Sequence, residues 1–600
     1  MTEPHVRREF ASTSTPYEPV RAQAMGRRGA IASGHFLASL AGDRMFDLGG
    51  NAIDAGIAAS ICLNVLLFPR ADFGGVMPMI LYHAASDRVV TLDGLGVWPA
   101  AADIDALRAG KDGTPEGILR AVTPGAPDAW LTALAEFGTL TVGQVVEPAW
   151  ELAANGAAVS TGIAKNLRFW EEHIREHYPT NYATFYPEGR PYRTGEILRR
   201  PELGNVLKSL MDTEAAARAQ GRDRREAIRE ARDVIYKGWV ADEIAAFFER
   251  EGGWMTKADL AAHAVEVGEP IRTNYRGYEV MSCGPWCQGP VLLQTLNILE
   301  NFDLASLGHN SPEYLHLLVE SIDRAFSDRE NYFGDPRAVP VPLQGLLSKE
   351  FAAERAATID PGRASGSMPD PGDPWAHDDS DPGREKRRVD LSHYETVTGL
   401  RGSAPQIDTT YCAAMDAAGN IYSATPSDTS MWGPVIPALG FPCSGRGVQS
   451  RLDSDHPSAV APGRRPRLTP NPAMVAVGGR PMMGFGCPGG DIQPQGMLQV
   501  FLNLAEFGLN LQQAIEAPRV MSWNFPNSFA PHPYHPGRLD IEGRISDETR
   551  SRLREMGHEG ADTEDFFSKA SSVHAVAMDL DNGVITAGAD PRCEGSALAW

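Results

Sequence analysis

The tripeptide Asp408-Thr409-Thr410 constrains this chain more than any other feature. It stands between a Pro-, Gly- and Asp-dense stretch and a run that reads as a strand, Tyr411-Cys-Ala-Ala-Met-Asp-Ala-Ala-Gly-Asn-Ile-Tyr-Ser423. Cutting the bond between Asp408 and Thr409 would give Thr409 a free α-amine beside its own hydroxyl, so that one residue holds both nucleophile and general base. The chain would then be two pieces, 1–408 and 409–600. On its own, a Thr-Thr pair reads equally as a β-branched strand start, and the surrounding segments decide between the two.

Downstream, Gly484-Phe-Gly-Cys-Pro-Gly-Gly-Asp-Ile-Gln-Pro-Gln-Gly496 concentrates residues that let backbone approach a bound molecule. Gly489 and Gly490 are placed there to offer unobstructed amide N–H groups, the donors that stabilise the oxyanion of a tetrahedral intermediate. Upstream lie Gly49-Gly-Asn-Ala-Ile-Asp-Ala-Gly-Ile-Ala-Ala-Ser60 and Ala325-Phe-Ser-Asp-Arg-Glu-Asn-Tyr-Phe-Gly-Asp-Pro336, and near the end Gly588-Ala-Asp-Pro-Arg-Cys-Glu-Gly-Ser-Ala-Leu598. In this order, from about Ala30 to the C-terminus, the segments resemble the γ-glutamyltranspeptidase family of N-terminal-nucleophile hydrolases.

The resemblance implies an α/β fold, the four-layer αββα sandwich, to which both processed fragments contribute strands. It implies Thr409 as catalytic nucleophile, Ser427 as the second hydroxyl eighteen positions on, and Gly489 and Gly490 as the oxyanion hole, with Asp491 beside them on the substrate side. It also implies a small-molecule amide substrate, an acyl-enzyme, no cofactor and no metal. A heterodimer of the two fragments, or a dimer of such heterodimers, would be the mature form.

The chain departs from the family where the substrate would be gripped. γ-Glutamyl enzymes hold the α-carboxylate with an arginine, whose planar guanidinium pairs a carboxylate bidentately. Here the matching segment is Leu92-Asp-Gly-Leu-Gly-Val-Trp-Pro99, with Leu95 at the arginine's place. A serine pair of the family is represented by Leu468 and Thr469, and an Asn-rich segment by Gly440-Phe-Pro-Cys-Ser-Gly-Arg-Gly447. Leu95 cannot neutralise a buried carboxylate. The expectation is therefore an acyl group other than γ-glutamyl, bound by Leu95, Phe73, Trp98 and Trp432 as an apolar pocket, with Arg446, Arg467 or Arg70 left to meet an anion. Hydrolysis is expected over transfer, since no acceptor site is evident. The two rival readings are a true γ-glutamyl hydrolase or transferase acting on glutathione, and a silent relative kept as a binding or scaffold protein.

Bulk properties narrow the partners. A net charge of −22, from 55 basic and 77 acidic residues, opposes nucleic acid and anionic membranes. The most apolar stretch, Ile57 to Phe68, is too short to span a bilayer and reads as a core helix starting near Asn51. A polar N-terminus without a secretion-signal core and seven scattered cysteines suit a cytoplasmic protein. Residues 1 to about 30 read as a polar arm, 31–408 as the large fragment, 359–402 as an exposed, flexible linker before the cleavage point, and 409–600 as the small catalytic fragment. His173 and His177, four apart on a predicted helix, sit among charges that mark a solvated face. Cys283 and Cys287 lack a second pair and make a poor zinc site. His574 reads as a packed strand residue.

Overall fold

The computed structural model describes residues 18–109, 117–381, 384, 386–398 and 408–600 of the uncleaved chain. Two seven-stranded sheets face each other. In the first, Ala24–Gly26, Ile585–Ala589, His574–Met578, Arg480–Gly486, Ala473–Val477, Tyr278–Ser282 and Ile271–Tyr275 are neighbours in that order; in the second, Ser596–Ala599, Gly29–Ser33, Cys412–Asp416, Ile421–Ala424, Met79–His83, Arg88–Leu92 and Val267–Gly268. Small residues and methionines from both inner faces, including Ala30, Ala32, Ala413, Met415, Met474, Ala476, Val576 and Ala587, make the layer between the sheets. Their modest side chains let two sheets stack closely.

Helices cover both outer faces. Ala52–Leu66 is buried along its whole length and lies on the second sheet, against Cys412, Ala414, Tyr422 and Ala424. Asn51 caps it reciprocally with Asp54, which fixes its start. On the first sheet lie Gly289–Leu299 and Gln493–Ala505, with Pro312–Tyr332 behind them in the same core. The order helix, sheet, sheet, helix is the four-layer αββα sandwich. Both sheets contain strands from before and after residue 408, so the two segments share one core.

Two boundaries differ from the sequence reading. The N-terminal arm is shorter than 1–30: Ala24–Gly26 pairs with Ile585–Ala589, and the amides of Val20 and Arg21 donate to Glu516 at 2.5 and 2.9 Å. Residues 1–17 lie outside the described residues. The stretch 359–402, expected as an exposed linker, has only single-turn helices, Pro374–His377 and Leu391–His393, yet it is laid against the body. Trp375 is buried in the first sheet's outer core, and the Tyr394 hydroxyl donates to Glu330 at 3.0 Å. Apolar anchors spaced through a Pro- and Asp-rich stretch outweigh its composition. Residues 382, 383, 385 and 399–402 of that stretch fall outside the described residues.

Candidate active site

Thr409 immediately precedes the central strand Cys412–Asp416, flanked by Gly29–Ser33 and Ile421–Ala424. Its amide donates to the Arg70 carbonyl at 2.6 Å, and the Thr410 amide to the Pro426 carbonyl at 2.9 Å. Its φ of +93° is a strained conformation for a β-branched residue. The strain is held in place by these two bonds and by close packing of Gly34 on Thr410, where a Cβ would overlap the Thr410 hydroxyl.

Ser427 sits beside Thr409, with 2.6 Å between the hydroxyl oxygens. It is fixed by reciprocal backbone bonds with Val76, at 2.9 and 3.1 Å. Glycine is required at 75, because a Cβ there would run into the Ser427 carbonyl. Arg446, fully buried, donates from Nη2 to both Ser427 Oγ and the Asp408 carboxylate. Thr409 Oγ1 donates to the other Asp408 oxygen at 3.2 Å. These bonds close a ring: Arg446 to Ser427, Ser427 to Thr409, Thr409 to Asp408, and Asp408 back to Arg446. The ring satisfies each proton once if Ser427 donates to Thr409. Burial pushes the Asp408 pKa up and Arg446 opposes it, so an acceptor of raised basicity faces the nucleophile's proton.

Asp428, with φ +94°, completes the cluster. Its carboxylate accepts from Ser444 Oγ at 2.5 Å and stands 3.7 Å from Arg446 Nε, while burial raises its pKa to about 6 against the pull of Arg446. Arg120 lies nearby, since a Cβ on Gly445 would stand 3.5 Å from the Asp428 carboxylate and 3.7 Å from Arg120 Cδ. Among the described residues Arg446 Nη1 has no hydrogen-bond partner.

Gly489 (φ +131°) and Gly490 (φ +60°) form the turn after the strand Arg480–Gly486. They open a one-turn helix, Gly490–Ile492, whose first N–H groups have no carbonyl within the helix. Gly486 packs on Tyr411, two residues beyond Thr409. Phe529 faces Gly490, lies under the Arg446 guanidinium at 5.6 Å and contacts Trp432 edge-on at 5.3 Å. The glycine turn and the hydroxyl pair therefore converge around Phe529, a residue that carried no signal in the sequence.

The other expected residues divide. Thr469 accepts from Gln449 Nε2 at 3.0 Å, which ties it to the turn Arg446–Gln449. Leu95 packs with Val76, Cys283, Trp286, Cys287 and Leu468 in a buried apolar cluster, one residue removed from Ser427 through Val76. The Asp491 carboxylate is taken up by Arg329 and by the Ser528 amide and hydroxyl, at 2.7 and 2.6 Å. Phe73 is not part of the expected pocket: it packs edge-on against Trp130 and tilted against Phe441 in the outer core. Trp98 is buried elsewhere, bonded to Ser450 at 3.0 Å. Arg467 is engaged by Glu330 at 2.9 Å; burial raises that glutamate's pKa, but Arg451 and Arg467 overcome it and hold it well below the usual range. Arg70 contributes its carbonyl to Thr409. Of the three candidate arginines only Arg446 reaches the nucleophile's network.

A central-strand threonine paired with a second hydroxyl, inside two facing sheets between helical layers, defines an N-terminal-nucleophile hydrolase. Residues 38–600 match the gamma-glutamyltranspeptidase family. The chain is 32% identical over 580 residues to the glutathione hydrolase-like YwrD proenzyme of Bacillus subtilis (strain 168), covering 96% of this chain and 99% of that protein. It is 29% identical to the acylase ACY 1 proenzyme of Pseudomonas sp. (strain SE83), covering 96% and 94%. The crystal structure of cephalosporin acylase from Bacillus halodurans superposes with a TM-score of 0.82 at 28% identity, covering 98% of this chain and 99% of that one. The chain belongs to the gamma-glutamyltranspeptidase family.

Proposed function

We propose that this protein is a self-processing N-terminal-threonine amidohydrolase that hydrolyses a small amide whose acyl group is not γ-glutamyl. In maturation the Thr409 hydroxyl attacks the Asp408 carbonyl, and its proton passes to the Asp408 carboxylate. The C–N bond breaks, the nitrogen takes up a proton as the new α-amine, and water hydrolyses the ester. In the mature enzyme that amine, with an ordinary pKa of about 7.7 to 8.0, takes the hydroxyl proton as the substrate amide is attacked. Gly489 and Gly490 stabilise the oxyanion. The steps are complete with hydroxyl, amine and amide groups, and call on no cofactor. The two fragments remain together as a heterodimer.

The observation that carries this reading is the 2.6 Å Thr409–Ser427 pair at a strained residue 409. The altered acyl group is supported by Leu95, which sits in an apolar cluster and offers no cation to a substrate carboxylate. Relatives named as acylases show that the family admits other acyl groups; the YwrD name keeps glutathione as the rival substrate. On a denaturing gel the purified protein should give two bands, the smaller with Thr409 as its first residue, and Thr409→Ala should give one band and no turnover. A single band from the native sequence supports the silent-scaffold reading. Turnover of γ-glutamyl-p-nitroanilide at the level of other acyl anilides would refute the altered specificity.

A further inference from the structure

The first acyl group this site ever carries is the protein's own. On the reading above, maturation makes the Thr409 ester of Asp408, so the pocket must accept an aspartyl group before it accepts any substrate. The structure shows how that group is held. The Asp408 carboxylate pairs with Arg446, and the same guanidinium nitrogen bonds Ser427, the partner of the nucleophile. Arg446 is therefore one hydrogen-bonded residue from Thr409, and a carboxylate it binds must lie close to the carbonyl under attack. In Asp408 two carbons separate the carboxylate carbon from that carbonyl.

We propose that Arg446 is the substrate-carboxylate receptor of the mature enzyme, that Asp408 occupies its place in the precursor, and that the preferred substrates are amides of succinyl or aspartyl type. Three observations support this. Arg446 is fully buried and keeps Nη1 without a hydrogen-bond partner among the described residues, so it has donor capacity beyond its present bonds. Of the two carboxylates against Arg446, Asp408 accepts its hydrogen bond directly and Asp428 stands 3.7 Å from Nε, so a vacated Asp408 place leaves the guanidinium only the more distant partner. A buried guanidinium without its counter-ion is costly, and a substrate carboxylate removes that cost. Finally, the Phe529 ring centroid stands 5.6 Å from the guanidinium carbon, a cation–π contact that helps hold Arg446 at the site.

This inference rests on the proposed hydrolase reading, and the experiment separates the two. Matured protein is assayed on the p-nitroanilides of succinate, glutarate, butyrate and γ-glutamate. The succinyl compound should exceed the butyryl compound, which has a methyl in place of the carboxylate, in kcat/KM by roughly 100-fold, and Arg446→Leu should bring that ratio near one. In parallel, calorimetry with succinamate and butyramide should show succinamate binding to matured protein and not to the Thr409→Ala precursor, where Asp408 still fills the place. A succinyl-to-butyryl ratio near one, or succinamate binding no tighter than butyramide, overturns the Arg446 assignment while leaving the hydrolase reading intact. Absence of cleavage at Thr409 overturns the hydrolase reading. If Arg446→Leu does not mature, the ratio and the two binding measurements on the native sequence decide.

Discussion

Ser427 has one proton and two neighbours that compete for its oxygen, Arg446 as donor and Thr409 as partner at 2.6 Å. Replacing it with alanine removes the bond that orients the nucleophile and leaves a buried guanidinium nitrogen with one acceptor fewer. A hydrogen bond of this kind contributes about 1.5 to 3 kcal/mol, so Ser427→Ala should slow both self-cleavage and turnover by roughly 10- to 100-fold. Rates within threefold of the native sequence would show that Ser427 is only structural. Leu95 poses the opposite question, because an arginine restored there would enter the apolar cluster of Val76, Cys283, Trp286, Cys287 and Leu468, beside a carboxylate, Asp93, that is already paired with Arg465. Arg465, whose guanidinium lies over Trp286 at 5.6 Å, already serves Asp93 and Asp335 at 2.8 and 2.9 Å. Leu95→Arg should therefore lower the unfolding midpoint, by a destabilisation of about 3 kcal/mol or more, and should not create γ-glutamyl hydrolysis. Gain of that activity with an unchanged midpoint would mean that the cluster opens readily toward the site. The hydroxyl pair and the missing arginine were legible as letters in the sequence. The role of Asp408 was not, because it depends on Arg446 folding back across 38 residues onto the position before the nucleophile.

Elements fix these residues by short, sterically exacting turns. The helix Ala52–Leu66 was readable from its apolar run and from Asn51 at its start, since local sequence determines both. The pocket walls were not readable. Phe73, Trp98 and Phe529 are all large and apolar, and only long-range packing sends the first two into cores and brings the third against Gly490. The glycine turn is the element where substitution is most informative. Gly489 has φ +131°, a conformation that costs any other residue about 1 to 3 kcal/mol, and a Cβ would stand 2.6 Å from Ile492 Cγ1. Gly489→Ala should shift the turn away from the acyl site, reducing kcat more than it raises KM, while the far-ultraviolet spectrum stays that of the native fold. A change confined to KM would place this turn in ground-state binding and remove it from oxyanion stabilisation.

At the scale of the molecule, the proposed cleavage after Asp408 would divide the chain but not its core. Cys412–Asp416 pairs with Gly29–Ser33 on one side and Ile421–Ala424 on the other, and Ile421–Ala424 in turn with Met79–His83, so strands from both pieces pair within the second sheet. The pieces should co-elute as one species of unchanged size after cleavage and separate only in denaturant; elution as two species under native conditions would contradict the shared core. Buried titratable groups set how that core responds to acid. Burial lowers the pKa of His35, His263, His456, His558 and His574 to about 4 in each case. Each is favoured neutral in the fold, so its contribution is fully present above the unfolded value of about 6.5 and is lost as pH falls toward 4. Asp93 and Asp428, raised to about 6, and Asp323, raised to about 7, act in the opposite sense: their protonated forms are favoured in the fold, and the stability they add at low pH is lost as pH rises through those values. Between pH 4 and 6 the five histidines outnumber the three carboxylates, so the unfolded chain binds more protons than the folded one and stability rises with pH. The melting temperature should fall on acidification from pH 6.5 to 4.5, by more in the native protein than in a His456→Gln, His574→Gln double variant. A melting temperature that rises toward pH 4.5 would show that the buried carboxylates, and not the histidines, govern the acid limb.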